Sequence, residues 1–368
     1  MSMNMNKSAE LKKEPFLRII KRSEMTGQQI ILLRTCAILL AIAAGGVFML
    51  GIGYNPFTIY GTIISGAFRS TMAIQATVKI MIPLVIASLG ITLAFKMKFW
   101  NIGAEGQIIL GAIFASYFAL FHSNWNHWVL ILVMLIAGMI GGGLWALIPA
   151  YFKVKYDTNE TLLTLMLNYI ALHIITFLRE GPWKDPNSQG YSKIARFVAN
   201  AALDKVLGVQ MGWIVALILV VVVFIYCKYS KHGYEISVVG ESKETARYAG
   251  MNVKKVVLRT MFISGAICGL GGMIQATGSD ITLTTSVAGG VGFSAIIIAW
   301  LAGLNPIGIL LVSFFFSVLE KGSSVVQSSF GLSTDCADVL KGIILFFILG
   351  CEFFIRYGFV FGKKGGAK

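Results

Sequence analysis

Residues 215–226 read VALILVVVVFIY, a continuous uncharged apolar run, and runs of this kind recur along most of the chain. Crossing a hydrocarbon layer of roughly 30 Å takes about 20 helical residues. Inside that layer a helix satisfies its own backbone hydrogen bonds, which an open strand cannot do. A membrane β-barrel would instead alternate apolar and polar residues in pieces of about ten. Only 13% of the residues are charged, against about 25% in soluble domains. The pattern predicts an all-α polytopic membrane protein with about ten transmembrane helices, some short or broken.

The runs place spans at 30–51, 72–95, 105–120, 128–151, 161–177, 211–229, 257–277, 289–304, 306–319 and 336–354. The third, eighth and ninth are short and glycine-rich or flanked by proline, as broken or re-entrant helices are. One of them not crossing would make the count odd. The net charge of +14 raises the question of nucleic acid, but its distribution answers it. Lys7, Lys12, Lys13, Arg18, Lys21, Arg22 and Arg34 precede or open the first span, and Lys228, Lys231, Lys243, Arg247, Lys254, Lys255 and Arg259 crowd one loop. Such clusters beside span ends mark cytoplasmic segments, so no nucleic-acid partner is expected. The expected layout is a basic cytoplasmic tail at 1–29, a membrane domain at 30–355 and a cytoplasmic tail at 356–368. A cytoplasmic loop at 228–256 and an external loop at 178–210 complete it. Both termini are then cytoplasmic.

Polar residues in apolar surroundings need an account, because a charge at membrane depth costs on the order of 2.5–3.5 kcal/mol. Asn101, Glu105 and Gln107 sit in FWNIGAEGQ. They either tie helices together, line a path for a solute or gate it. Thr161, Thr164 and Asn168 are spaced by three and four residues and share one helix face. That stripe faces other helices or an aqueous path, and Asn168 is its better path candidate. Thr158 or Asn159 can cap this helix. Lys79 can snorkel to an interface, and Pro83 kinks or starts a helix. Near the end, Ser333 or Thr334 can cap the last span, and Asp338 can pair with Lys341.

Catalytic and metal chemistry find no support. The five cysteines form no CxxC pair, the four histidines form no HExxH motif, and no GxxxxGK[ST] phosphate loop occurs. Neither a metal site, a bound cofactor nor an enzymatic activity is expected. In the basic loop, Ser242 can cap a short helix over 243–248, which Gly250 ends. The product is a charged helix on the cytoplasmic side, either an ordinary solvated loop or a docking element.

The segment VGESKETARYAGMNV closely resembles the cytoplasmic coupling segment of ATP-binding-cassette importer permeases of the branched-chain amino acid, simple-sugar and nucleoside group. NIGAEGQ, NETLLTLMLNYIA, SGAICGLGG, GGVGFSAIIIAWLAGLNPIG and DVLKGIILFFIL resemble the nucleoside and simple-sugar branch, in the same order along the chain. The resemblance implies a type II importer-like architecture and a plasma-membrane permease subunit for a nucleoside or simple sugar. It implies separate ATPase subunits that use ATP-Mg, a second permease subunit and an extracellular substrate-binding lipoprotein. It also assigns ATPase contact to Gly240, Glu241, Ser242, Ala246, Arg247 and Gly250. The candidate translocation path is Asn101, Glu105, Gln107, Thr164 and Asn168. Many relatives carry a basic residue before the NP of the turn at 303–306, where this chain reads GLNP, so no second docking contact is assigned there. The alternative is an ion- or proton-coupled secondary carrier, which would want carboxylates deep in several spans.

Overall fold

The computed structural model describes residues 17–21 and 26–361, and it divides into two compact units. Lys7, Lys12, Lys13, Arg22, Lys363, Lys364 and Lys368 lie outside the described residues.

The first unit holds the two ends of the chain. Strand β1 (Leu17–Lys21) pairs antiparallel with β4 (Tyr357–Phe361), Leu17 opposite Phe361. Helix α1 (Gly27–Gly51) follows β1, and α13 (Thr334–Arg356) leads into β4. As expected, Ser333 caps α13, its Oγ accepting from the Cys336 N–H at 3.3 Å. The side chains of Asp335, Asp338 and Lys341, for which local pairing was expected, are outside the described ones.

The second unit, residues 57–337, is the helical bundle. It begins in α2 (Pro56–Phe68), then α3 (Thr71–Lys96), α4 (Ala104–Phe121), α5 (His127–Tyr156) and α6 (Glu160–Glu180). After an ordered connection come α7 (Gly212–Tyr229), α8 (Lys231–Glu241), α9 (Lys243–Tyr248) and α10 (Val253–Ile274). The last members are α11 (Val291–Leu301) and α12 (Pro306–Phe330). Among the described residues, seven helices are long and apolar enough to cross a membrane, or up to eight if 35–51 and 56–68 form one broken span. Three boundaries differ from the sequence expectation. The α2 helix was not anticipated, because Pro56 and Gly61 interrupt its apolar pattern. Helix α12 runs past Glu320 and Lys321 to Phe330, since two charges near a span end do not stop a helix whose other faces are packed. Pro83 neither starts nor ends a helix but lies buried inside α3.

The centre of the bundle is α10, packed against α3, α4 and α5. Its SGAICGLGG run puts Gly265, Gly269 and Gly272 where the backbones of α4 and α5 come closest. A Cβ on Gly269 would stand 2.9 Å from the Gly142 Cα of α5. Small residues at such crossings let van der Waals packing drive association where lipid removes the hydrophobic difference. Around this seam lies a large core that includes Ile86, Leu89, Ile108, Met134, Ile175 and Ile298. A second, separate core gathers Ala94, Met97 and Phe99 with Ile236, Val239, Ala246, Val256 and Met261. It joins α8 and α9 to the ends of α3 and α10.

The connection at 181–211 is folded rather than a loose loop. Strands β2 (Lys205–Val206) and β3 (Val209–Gln210) form a hairpin. Leu207 and Gly208 both take positive φ, 56° and 77°, the backbone a tight two-residue hairpin demands. Gln75 of α3 pins it by donating to the Leu207 carbonyl at 3.1 Å.

Candidate functional site

The two polar segments singled out in the sequence meet. Asn168 of α6 donates to the Ile102 carbonyl and accepts from the Gly106 N–H, both at 2.9 Å. Thr164 Oγ1 accepts from the Ile102 N–H at 3.2 Å and donates to Glu160 O at 2.8 Å. Asn101 and Gln107 exchange side-chain hydrogen bonds at 3.3 and 3.1 Å, and Asn101 Oδ1 also accepts from the Gly103 N–H. All four side chains are buried. The first turn of α4 exposes backbone donors with no helical acceptor, and this knot of amides and hydroxyls satisfies two of them, the Gly103 and Gly106 N–H groups. The side chains of Asn101, Gln107, Thr164 and Asn168 are spent on internal bonds that fix where α4 begins.

Asn159 supplies the cap of α6, accepting from the Thr161 and Leu162 N–H groups at 3.0 and 3.2 Å. Lys153 at the end of α5 bridges Asp157 at 2.8 Å and Glu160 at 3.1 Å. The Lys153 ammonium holds the Asp157 carboxyl below the usual carboxylate range.

Glu105 does something different. Its Oε1 accepts from the Gly290 N–H and its Oε2 from the Gly292 N–H, both at 2.7 Å. These donors open α11, whose eleven residues span about 16 Å and cannot cross a membrane. A carboxylate at a helix N-terminus meets orphan N–H groups and the positive end of the dipole together. Gly292 has to lack a side chain here, since a Cβ would stand 2.7 Å from Glu105 Oε2. Toward the other end of α11, Trp300 stacks on Trp100 with centroids 5.6 Å apart, and both rings contact Phe95. Helix α11 is thus clamped at both ends. The depth of the clamp follows from packing: the Ile108 carbonyl lies against Gly272, about 28 Å along α10 from Val253. Glu105, less than one turn before Ile108, is deep in the bundle. The sequence marked Glu105 as costly but held no sign of its partners, which lie about 185 residues away.

The basic loop contains two helices, of which the sequence showed one. Ser242 caps α9 as expected, accepting from the Thr245 N–H at 3.2 Å, and Gly250 follows with φ 74°. Ser230, which was not anticipated, caps α8 by accepting from the Gly233 N–H at 2.9 Å. Glu235 of α8 meets Arg259 of α10 at 2.7 Å with both groups mostly covered. That guanidinium holds the Glu235 carboxyl below its ordinary range. Gly240 is buried against the Lys96 carbonyl at the end of α3, and Ala246 is buried in the second core. These two seat the element against the bundle. Glu241, Lys243, Glu244, Arg247, Tyr248 and Gly250 are exposed, with Ser242 half-buried.

A glycine-packed helical bundle with a short internal half-helix and a braced, charged double-helix element at one end is the architecture of a multi-pass membrane permease. Residues 72–349 match the family model of the branched-chain amino acid transport system permease component. The chain belongs to that family. It is 31% identical over 343 residues to the glucose ABC transporter permease protein TsgB13 of Haloferax volcanii, covering 89% of this chain and 90% of that one. It is 29% identical to the guanosine ABC transporter permease protein NupP of Bacillus subtilis over 90% of this chain and 96% of the relative. With the nucleoside ABC transporter permease protein NupB of Lactococcus lactis it shares 30% over 86% and 90%. Membership of this family does not favour the secondary-carrier alternative.

Proposed function

We propose that this permease is the membrane subunit of an ATP-driven importer whose solute is a nucleoside or simple sugar. The observation that carries the reading is the α8–α9 element, exposed on one face and braced on the other by a small core and the Glu235–Arg259 ion pair. Such a part can take a push at Arg247 and pass it to the ends of α3 and α10 without deforming. Separate ATPase subunits would bind ATP-Mg and supply that push, and this chain would hydrolyse nothing itself. A second permease subunit and an extracellular binding lipoprotein complete the assembly in the plasma membrane. Pairing of β1 with β4 holds residues 17–21 beside residues 357–361, which supports both termini lying on the same side of the membrane. The basic residues of both tails assign that side as cytoplasmic. The relatives named for glucose, guanosine and nucleosides have one chemistry in common, a sugar ring with neighbouring hydroxyls.

The test is co-purification with candidate ATPases, followed by solute-stimulated ATP hydrolysis and uptake of guanosine and of glucose in proteoliposomes. Uptake driven by a proton gradient with no ATPase present would refute the reading. Arg247→Glu reverses an exposed charge on α9. It should leave the permease folded, within about 0.5 kcal/mol as for other surface changes, while solute-stimulated ATPase activity falls. Full coupling in that variant would remove α9 from the contact.

A further inference from the structure

The 178–210 connection forms a roof over the far end of α10. There α10 passes into a π-helical turn, Gln275–Asp280. A π turn closes on i and i+5, and Gln275 Nε2 donates to Asp280 Oδ1 at 3.1 Å. The roof is tied to this end by the Phe197 N–H donating to Ile281 O, the Leu203 N–H to Thr277 O and Thr282 Oγ1 to Ile194 O. Next along the roof, the Asp204 carbonyl accepts from the Met211 N–H at 2.8 Å, just before α7.

A second set of ties runs from residues 199–204 to the start of α5. The Asn200 side-chain amide donates to Ser123 O and to Trp125 O. His127, the first residue of α5, lies between two partners. Its Nδ1 is 2.9 Å from Asn200 O, and its Nε2 is 3.2 Å from Asp204 Oδ2. A backbone carbonyl and an ionised carboxylate can each only accept. A neutral imidazole carries one N–H, so it satisfies one of these partners and turns a lone pair toward the other. Only the imidazolium, with an N–H on each nitrogen, makes both bonds. The His127 side chain is 23% exposed, enough to exchange a proton with solvent. Asp204 also lines a cleft of about 460 Å³ together with Arg196 and Lys205, so its carboxylate has cations within the same cleft when His127 lets it go.

We propose that His127 is a proton-operated latch fastening the 178–210 roof to α5, closed when both ring nitrogens carry a proton and released when one loses it. Imidazole changes charge within about pH 5–8, so the tie is complete at the acid end of that range and is lost as pH rises. The positive end of the α5 dipole opposes a charge on His127, and the Asp204 carboxylate offsets it. The other titratable or charged groups around the latch are His122, whose ring packs on Trp125 in the preceding turn, Arg196 and Lys205 on the roof, and Asp280 beneath it. The latch goes beyond the importer reading and does not depend on it.

The experiment is hydrogen exchange on the full-length permease in detergent, read at peptides covering residues 199–204 across about pH 5–8 and corrected for intrinsic exchange. Wild type should lose about fivefold in protection as pH rises, the weight of one partly exposed ion pair. Asp204→Asn should abolish the step and stay protected throughout. Its amide accepts from the charged ring at low pH and donates to the neutral ring at high pH. His127→Gln, which has no proton to lose in this range, should be flat as well. His122, Arg196, Lys205 and Asp280 are unaltered in both variants, so a step that survives in either belongs to them and would overturn the latch. A flat wild type, or a step of the opposite sign, would overturn it too. If Asp204→Asn does not fold, His127→Gln carries the comparison alone. Uptake plays no part in this readout, so its failure leaves the importer reading intact.

Discussion

Replacing Glu105 by glutamine tests the clamp on α11 with the smallest change of shape. Both carboxylate oxygens receive a backbone N–H at 2.7 Å. Glutamine keeps one acceptor oxygen, but its NH₂ group would face the second backbone donor, so one bond is lost and that donor is left without a partner. Hydrogen bonds to charged groups contribute about 1.5–3 kcal/mol each, and removing the charge also forfeits about 0.3–1 kcal/mol of dipole interaction. A combined loss of about 1.8–4 kcal/mol, at 1.4 kcal/mol per tenfold, raises the population with α11 undocked by about 20- to 700-fold. Hydrogen exchange reads local opening of this kind residue by residue. Peptides spanning residues 288–294 should lose protection by that factor in Glu105→Gln, while peptides from α8 stay unchanged. Glu105→Ala, which strips both acceptors, should lose more. Unchanged protection at 288–294 would refute the clamp, because no other group is bonded to those two donors in its place. Uptake measured on the same preparations then reports whether a docked α11 is needed for transport.

Asn168→Leu removes the bonds to Gly106 N–H and Ile102 O and leaves two buried backbone groups unpaired, at about 1–3 kcal/mol each. Thermal stability and uptake should fall together; lost uptake at unchanged stability would make Asn168 a path residue instead. The Glu235–Arg259 brace has a defined pH window. The Glu235 carboxyl is depressed by Arg259, so its contribution is complete above the unfolded-state value near 4.5 and is lost as pH falls through the lower folded-state value. His232 Nδ1 lies 3.4 Å from the same carboxylate, so the measurement is made in a His232→Gln background. Solute-stimulated ATPase coupling should then show no step assignable to the Glu235–Arg259 pair between pH 8 and pH 5, and such a step that vanishes on adding Glu235→Gln would contradict the assignment.

The sequence by itself determined the class of fold, because long uncharged apolar runs have few ways to satisfy their backbones in lipid. It determined the start of α9 too, because capping by Ser242 and termination before Gly250 are local events within nine residues. It located the costly polar side chains 101–107 and 164–168 as well. What it could not supply was their partners. That Asn168 reaches Ile102 and that Glu105 caps α11 depends on helices brought together across long stretches of chain by glycine seams. The 3.6-residue period also hid the Gln275–Asp280 pair, because an α-helix would point those side chains apart. Only the tertiary structure, by winding one turn more loosely beneath the 178–210 roof, puts an amide and a carboxylate on the same face.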